Sequence, residues 1–149
     1  MPCLQTAQFG ALEYTPASTL EFSEGLPGFE SEHSFLLVER PHHHPLVFLQ
    51  SVNKPELCFP ALPVRVVDSA YQTQLDPSDL ELLGFTGQPR IGEDAVVLVL
   101  IAMHEQNPTA NLLAPIVINL HNLSGAQCID PEMRFSHRHP LAPAMEAAS

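Results

Sequence analysis

Two long apolar runs mark the second half of the chain, at residues 95–103 and 115–119. The second run begins with Pro115 and continues with three β-branched residues, which suit the pleated surface of a strand. Proline has no N–H to donate, so it fits the first position of a strand. Both runs are too short for a membrane span, which needs about 20 apolar residues. We predict two neighbouring buried strands at the centre of a sheet, joined by a polar surface connection at 104–108.

Shorter segments with alternating or β-branched apolar residues predict further strands. They lie at residues 9–14, 20–22, 34–39, 46–51, 57–59, 64–68 and, after a hairpin turn at 122–125, at 126–129. Pro60 and Pro63 each lack a donor for a β-ladder. We therefore expect the region around them to lie at a sheet edge or a bulge.

One segment predicts a short helix that packs on the sheet. Asp76 is a suitable N-cap, Pro77 fits the first helical position, and Gly84 fits the left-handed stop. Asp79 adds negative charge to the first turn, where the helix dipole favours it. The predicted apolar face consists of Leu80, Leu82 and Leu83.

The fold class that these patterns favour is mainly β. Fifteen prolines scattered between short apolar runs indicate a small antiparallel, barrel-like sheet with one or two short helices. The 149 residues suffice for one hydrophobic core. We expect a single domain over 1–149, with its core at about 9–141 and a frayed tail at 142–149.

The charge of the chain is strongly acidic. Seventeen Asp and Glu residues against six Lys and Arg give a formal net charge of −11, which repels phosphate backbones and disfavours direct nucleic-acid binding. The charge either serves solubility or favours a basic partner, and composition leaves both open.

The N-terminus lacks the pattern of a secretory signal, which is a basic region followed by an apolar one, so we expect a cytoplasmic protein. Cys3, Cys58 and Cys128 lack zinc-binding spacing and predict reduced thiols, the last two half-buried on strands.

Motifs for catalysis are missing from the sequence. His104-Glu105 has no second histidine, and Cys128 could meet His121 or His139 only through the fold. The tract His42-His43-His44 could suggest a metal, but neighbouring side chains in a loop rarely converge on one ion. We interpret it as a solvated loop between prolines. We therefore predict no enzyme, no metal and no cofactor, and a binding or regulatory role.

The glycine-rich stretch Gly25-Leu26-Pro27-Gly28-Phe29-Glu30 predicts a turn, after which Phe29 returns to the core. It belongs to an ordered set of motifs that resembles the FliW family of flagellar assembly factors over about residues 9–141. The set consists of Phe22-Ser23-Glu24 leading into that turn, then Phe48-Leu49-Gln50-Ser51, then Thr109-Ala110-Asn111-Leu112-Leu113-Ala114-Pro115-Ile116-Val117-Ile118-Asn119, then Gln127, then Arg138-His139-Pro140-Leu141.

The resemblance implies a small barrel-like fold and a switching role. Family members bind the mRNA-binding regulator CsrA and block its translational repression, and flagellin competes for them. The implied partners are thus CsrA and flagellin, without nucleic acid or membrane, for a protein that we expect to be a monomer. Two alternatives stay open: a chaperone for flagellin alone, and a small metal- or thiol-dependent enzyme.

The resemblance also implies the candidate binding residues. The positions that match the family's motifs are Gly25, Pro27, Gly28, Phe29, Asn111 and Pro115. Each has a structural interpretation as well, as turn glycine, core aromatic or turn-holding amide. Asn111 is the strongest candidate because it is a polar residue inside an apolar motif. The acidic residues near the turn, Glu24, Glu30 and Glu32, could form a rim.

The sequence departs from the family pattern in three places. Prolines are shifted between Cys58 and Val64, so a partner strand added at that expected edge would bind with altered affinity. Phe135 stands where the family often has Tyr. The loop His42-His43-His44 is peculiar to this chain.

Overall fold

The computed structural model describes residues 3–7, 9–26, 28–104, 107–129 and 139–140. The strands are β1 (Cys3–Thr6), β2 (Gly10–Glu13), β3 (Leu20–Glu21), β4 (Ser34–Glu39), β5 (Val47–Ser51), β6 (Cys58–Pro63), β7 (Ala95–His104), β8 (Asn107–Ala110), β9 (Ile116–Asn119), β10 (Gly125–Gln127) and β11 (His139–Pro140). The helices are α1 (Val64–Val67) and α2 (Pro77–Leu83), with short 3₁₀ turns at Pro16–Ser18 and Pro41–His43. Neither α1 nor α2 has the length that a membrane span requires.

The main sheet of the described chain is antiparallel and nearly closed into a barrel. Its strands follow the order β10-β9-β7-β6-β5-β4-β3, while β8 pairs with both β7 and β11. A bridge between Glu21 and Ser124 joins the two ends of this order, and the Glu21 N–H donates to the Leu123 carbonyl at 3.0 Å. The mainly β, barrel-like fold class is confirmed.

The two apolar runs occupy the middle of this sheet, as predicted. β7 pairs with β6, β8 and β9, and every residue of β9 is buried. Successive residues of β7 point to opposite faces, because side chains alternate along a strand. Val97 and Val99 join a core cluster that includes Leu83 of α2, whereas Leu98 joins the cluster around Phe22 and Phe35.

A two-stranded sheet covers the outside of the main one. β1 pairs with β2, and Leu4, Phe9, Leu12 and Tyr14 pack against Leu36, Val38 and Phe48 of β4 and β5. The predicted strand at 9–14 therefore packs through Phe9, Leu12 and Tyr14, although the strand itself spans only Gly10–Glu13.

The prediction for the proline-rich region was wrong. β6 is one strand inside the sheet, and it contains both Pro60 and Pro63. It pairs with β5 from Cys58 to Ala61 and with β7 from Ala61 to Pro63. Each proline thus lies where β6 has a ladder on one side alone, so the missing N–H removes no ladder bond there.

The predicted strand at 64–68 was also wrong, because Val64–Val67 forms the helical turn α1. The N–H of Asp68 donates to the Val64 carbonyl at 2.9 Å, and Val64 is buried whereas Val66 is exposed. In the polar connection predicted at 104–108, Asn107 and Pro108 instead belong to β8, which pairs antiparallel with the end of β7, while residues 105 and 106 lie outside the described residues.

The helix prediction was confirmed in its ends. The Asp76 carboxylate accepts from the Asp79 N–H at 2.9 Å, and Gly84 has φ +81° in the left-handed region. Leu83 is fully buried and Leu80 packs beside it, but Leu82 is exposed, so the predicted apolar face is narrower than expected. The end of the predicted core, from Phe135 to residue 141, lies outside the described residues apart from β11. The predicted frayed tail at 142–149 also lies outside them.

Candidate partner-binding face

The glycine-rich turn closes on itself after β3. The Phe29 N–H donates to the Leu26 carbonyl at 2.7 Å, and Gly25 has φ +66°. A Cβ at Gly25 would lie 2.7 Å from the backbone of Glu30, so both the conformation and the close approach require glycine. Gly28 has φ +85° and open space around it. Pro27 lies outside the described residues.

Phe29 returns toward the core, as predicted, but stays half-buried. Its ring packs edge to face on Phe59 with 5.2 Å between centroids. Glu24 and Glu30, on either side of the turn, are exposed. The turn therefore presents carboxylates to solvent while its aromatic residue anchors it. Glu32 accepts a hydrogen bond from the Ser51 hydroxyl at 3.2 Å and is partly withdrawn from such a rim.

Glu24 faces the N-terminal half of α2 across a cleft of about 440 Å³, whose lining also includes Asp79, Glu81 and Leu82. Burial, together with the negative charges of Asp76 and Glu24, raises the pKa of Asp79 above its ordinary value. The ion pairs within the described chain all involve Arg90 or His121, and none reaches these carboxylates. We call the set Glu24, Asp76, Asp79 and Glu81 the acidic face.

Cys128 connects the acidic face to the apolar motif. Its backbone N–H donates to the Pro115 carbonyl at 2.8 Å, and its thiol donates to the Ala126 carbonyl at 3.7 Å, with the Asp79 carboxylate close enough to act on the thiol electrostatically. Burial, with the nearby Asp79 carboxylate, raises the pKa of the Cys128 thiol to about 12. Because the thiolate is the nucleophilic form, this arrangement argues against the thiol-dependent enzyme. Cys58 is half-buried and its thiol pKa is raised to about 11 by burial.

Asn111 holds the segment that leads to Pro115. Its Oδ1 accepts from the Ala114 N–H at 3.1 Å, and its backbone N–H donates to Leu100 at 3.0 Å. Gln127, another residue of the motif set, donates from Nε2 to the Ala114 carbonyl at 2.9 Å. None of these hydrogen bonds reaches the glycine-rich turn, so the structure links Asn111 to β10 rather than to Gly25. The side-chain nitrogen of Asn111 has no partner among the described residues.

The predicted site residues thus fall into two groups. Glu24 joins the acidic face and Pro115 lies beside it through its hydrogen bond with Cys128, whereas Asn111 holds the loop that precedes Pro115. Sequence reasoning assigned Asp76 and Asp79 to helix capping alone and passed over Glu81. The spacing Asp76, Asp79, Glu81 was a visible signal of acidic charge on one short helix. Its proximity to Glu24, some 50 positions earlier, had no sequence signal.

The histidine tract lies in the Pro41–His43 turn, on the β4–β5 connection. The rings of His42 and His43 lie 4.3 Å apart, and His43 packs edge to face on Phe48 at 5.5 Å. Within the described chain, His, Cys, Asp and Glu form no group of three that could hold a metal ion.

These features define a mainly antiparallel, nearly closed barrel with an acidic face, formed by Glu24 and the helix α2, whose carboxylates have no ion-pair partner in the described chain. Residues 3–141 match the FliW protein family. A flagellar assembly factor FliW from Caldanaerobacter subterraneus subsp. tengcongensis is 32% identical over 147 residues, which cover 97% of this chain and 96% of the relative. The flagellar assembly factor FliW of Bacillus subtilis is 29% identical over 140 residues, covering 93% of this chain and 95% of the relative.

The fold comparison agrees with the sequence comparison. A crystal structure of the flagellar assembly factor FliW superimposes with a TM-score of 0.84 at 33% identity, covering 95% of this chain and 98% of that one. The chain belongs to the FliW family of flagellar assembly factors.

Proposed function

We propose that this protein binds the translational regulator CsrA and relieves its repression of flagellin mRNA, with flagellin as the competing partner. The observation that carries the proposal is the acidic face, whose carboxylates have no ion-pair partner in the described chain. An mRNA-binding regulator must present cationic surface to phosphates. A face of unpaired carboxylates is complementary to such a surface and would oppose the approach of RNA.

The glycine-rich turn and α2 each present carboxylates to the partner. Gly25 permits the tight turn that sets Glu24 against α2. Cys128, whose backbone N–H donates to the Pro115 carbonyl, packs in the same core cluster as Leu83 of α2 and so holds α2 against the segment after β10. We assign Glu24 and Glu81 to direct contact with the partner, and Gly25, Gly28, Phe29 and Pro115 to positioning. Pro27 completes the turn motif, and Glu30 extends the charged rim. Asn111 would offer to a partner its side-chain nitrogen, which has no hydrogen-bond acceptor among the described residues.

We also propose a cellular location and an oligomeric state for the protein. It would act in the cytoplasm as a monomer, without cofactor or catalysis, because its task is reversible occupation of a partner's surface.

The charge of the face is tested by the double variant Glu24→Gln, Glu81→Gln. We expect its Kd for CsrA to be weakened on the order of tenfold in low salt, with a smaller salt dependence than the parent protein. The matched control is Glu13→Gln, Glu56→Gln, which removes two exposed carboxylates outside the face. Equal weakening by both pairs would show that net charge acts without a defined face. CsrA binding insensitive to salt would contradict the electrostatic role.

The flagellin-only chaperone is the second candidate, and exposed apolar side chains favour it. Leu82 on α2 is 37% exposed and Ile129, just beyond β10, is 59% exposed. Such side chains suit the apolar surface of an unassembled subunit. Binding of flagellin together with failure to bind CsrA would select this candidate.

A further inference from the structure

The two-stranded sheet outside the barrel is hydrogen-bonded almost entirely within itself. β1 and β2 pair with Cys3 opposite Glu13 and Thr6 opposite Gly10, and neither strand joins a ladder of the main sheet. The Thr6 hydroxyl donates to the Gly10 carbonyl at 2.9 Å and accepts from the Phe9 N–H at 2.8 Å. We call β1, β2 and Phe9 the β1–β2 ribbon. The hydrogen bonds that shape this ribbon do not depend on the barrel.

Few polar contacts attach the ribbon to the barrel. Among the described residues, one hydrogen bond joins the two, from the Ala7 N–H to the Pro55 carbonyl at 3.3 Å. No ion pair of the described chain reaches the ribbon. The Arg40 guanidinium lies 5.7 Å from the centroid of the Phe9 ring, a cation–π contact that is weak where water has access. Apolar burial therefore supplies most of the attachment.

This apolar attachment is partial. The apolar side chains that the ribbon offers are only half-buried, and they are Leu4, Phe9 and Leu12. They pack on a small cluster that is separate from the two clusters inside the barrel and consists of Leu36, Val38 and Phe48. Hydrophobic stabilisation grows with the apolar area removed from water, so half-buried side chains hold the ribbon weakly. The barrel keeps both of its inner clusters without the ribbon.

A buried polar side chain lies on the barrel surface that the ribbon covers. Gln50 is fully buried, and it shares the outer face of β5 with Phe48, because residues two apart on a strand project to the same side. Its Nε2 donates, at 3.0 to 3.2 Å, to the carbonyls of Ser51, Pro55 and Leu57. The Pro55 carbonyl also accepts the bond from the ribbon. The Gln50 amide and the ribbon thus meet at one carbonyl.

The other end of this amide is unpaired. The Oε1 atom of Gln50 has no hydrogen-bond partner among the described residues. A buried acceptor without a donor destabilises the state that buries it. Reversal of the amide would not help, because the oxygen would then face three carbonyls. The closed position of the ribbon is therefore destabilised by an acceptor that water can reach once the ribbon moves away.

We propose that the β1–β2 ribbon is a displaceable cover, which detaches as a unit from the folded barrel and uncovers Phe48 and Gln50 on the outer face of β5. Both residues belong to the motif Phe48-Leu49-Gln50-Ser51, which takes no part in the acidic face. An isolated two-stranded hairpin is marginally stable in water, so the detached ribbon loses its own pairing as well. The opening requires neither the acidic face nor CsrA and is independent of the proposed function.

Hydrogen exchange read by mass spectrometry tests the opening in the parent protein. We expect the amides of β1 and β2 to exchange at least about tenfold faster than those of β7 and β9. Exchange in the ribbon should depend little on low concentrations of urea, because the opening exposes little surface. The amides of β7 and β9 should exchange through global unfolding and respond strongly to urea.

Cysteine labelling reports on the uncovered face. Cys58 is half-buried and packs on the cluster beneath the ribbon, whereas Cys128 lies in a main core cluster. Phe9→Ala removes the ring that packs edge to face on Phe48 at 5.1 Å. We expect it to speed alkylation of Cys58 at least about tenfold without changing that of Cys128. The matched control is Phe85→Ala, which removes a half-buried ring from the main core cluster and should leave Cys58 labelling unchanged.

Three results would overturn the proposal. One is protection of β1 and β2 equal to that of β7 and β9, with the same urea dependence, which would make the ribbon part of one cooperative unit. Another is Cys58 labelling that Phe9→Ala leaves unchanged or speeds no more than it speeds Cys128. The third is equal acceleration of Cys58 by Phe85→Ala. If circular dichroism shows that Phe9→Ala is unfolded, the exchange measurement on the parent protein decides the matter.

Discussion

Asn119, the last residue of β9, donates from Nδ2 to the carbonyl of Leu83 at 2.8 Å and so joins the central sheet to the final turn of α2. Asn119 is 3% exposed, and its Oδ1 accepts from the His121 N–H at 2.8 Å. The last carbonyls of a helix have no partner within the helix. This bond therefore both satisfies a helix end and positions the acidic face against β10.

Removal of the Asn119 side chain should destabilise the folded state. We expect Asn119→Ala to lower the free energy of unfolding by about 1 to 3 kcal/mol, because the Leu83 carbonyl loses one of its two side-chain donors and the His121 N–H loses its acceptor. Urea denaturation measures the loss. The matched control is Asn122→Ala, whose exposed Nδ2 donates to the same carbonyl at 3.1 Å and should matter less. Equal losses for the two variants would contradict the role of burial.

The two glycines of the turn should respond differently to alanine. Gly25→Ala combines a positive φ with a Cβ only 2.7 Å from backbone atoms, whereas Gly28→Ala meets positive φ in open space. We expect about 1 kcal/mol of destabilisation at Gly28 and clearly more at Gly25. Thermal unfolding of both variants provides the comparison. A Gly25→Ala protein as stable as Gly28→Ala would show that the turn opens without cost.

The two aspartates at the start of α2 should show opposite pH effects. The raised pKa of Asp79 means that folding favours its protonated form, so its contribution to stability is present at low pH and is lost as pH rises through the folded pKa. Asp79→Asn should therefore be more stable than the parent protein at pH 7, with the difference vanishing in acid. Tm measured from pH 7 to pH 3 tests this.

Asp76 provides the opposite sign in the same experiment. Hydrogen bonds from the Ser78 hydroxyl and the Asp79 N–H lower the pKa of Asp76, so its charged form stabilises the folded state at neutral pH. Asp76→Asn should be less stable than the parent at pH 7 and should approach it as pH falls. The same sign of effect for both variants would refute the assignment.

The cysteines should be alkylated in a fixed order. Cys3 is exposed, Cys58 half-buried with a thiol pKa of about 11, and Cys128 buried with a pKa of about 12. Iodoacetamide at pH 8 should modify Cys3 first and Cys128 only on unfolding, as read by peptide mass spectrometry. If Cys128 in the folded protein is modified as fast as Cys3, the alternative of a thiol-dependent enzyme regains support.

Local sequence patterns correctly predicted the elements whose conformation depends mainly on short-range interactions. The run at 95–103 and the capped helix from Asp76 to Gly84 are of this kind. β6 was mispredicted because a proline prevents β-pairing on only one side of a strand. The change of partner strand at Ala61, from β5 to β7, has no signal in the sequence. Three of the four residues of Val64–Val67 are β-branched valines, which favour a strand, yet the segment forms a helical turn in which Val64 packs into the core.

The candidate site was predicted only in part for a related reason. The motif residues marked a turn and a strand entrance, which are local features. The acidic face depends on the approach of Glu24 to α2, a contact between distant segments. Charge composition predicted that an acidic surface exists but not where its carboxylates gather.

We propose that this acidic member of the FliW family alternates between CsrA and flagellin. Titration calorimetry with the CsrA of the same genome, in the absence and in the presence of bound flagellin, tests this switch. We expect heat and a defined stoichiometry with CsrA alone, and loss of that signal once flagellin is bound. Absence of a complex with CsrA under both conditions, or CsrA binding unchanged by flagellin, would contradict it.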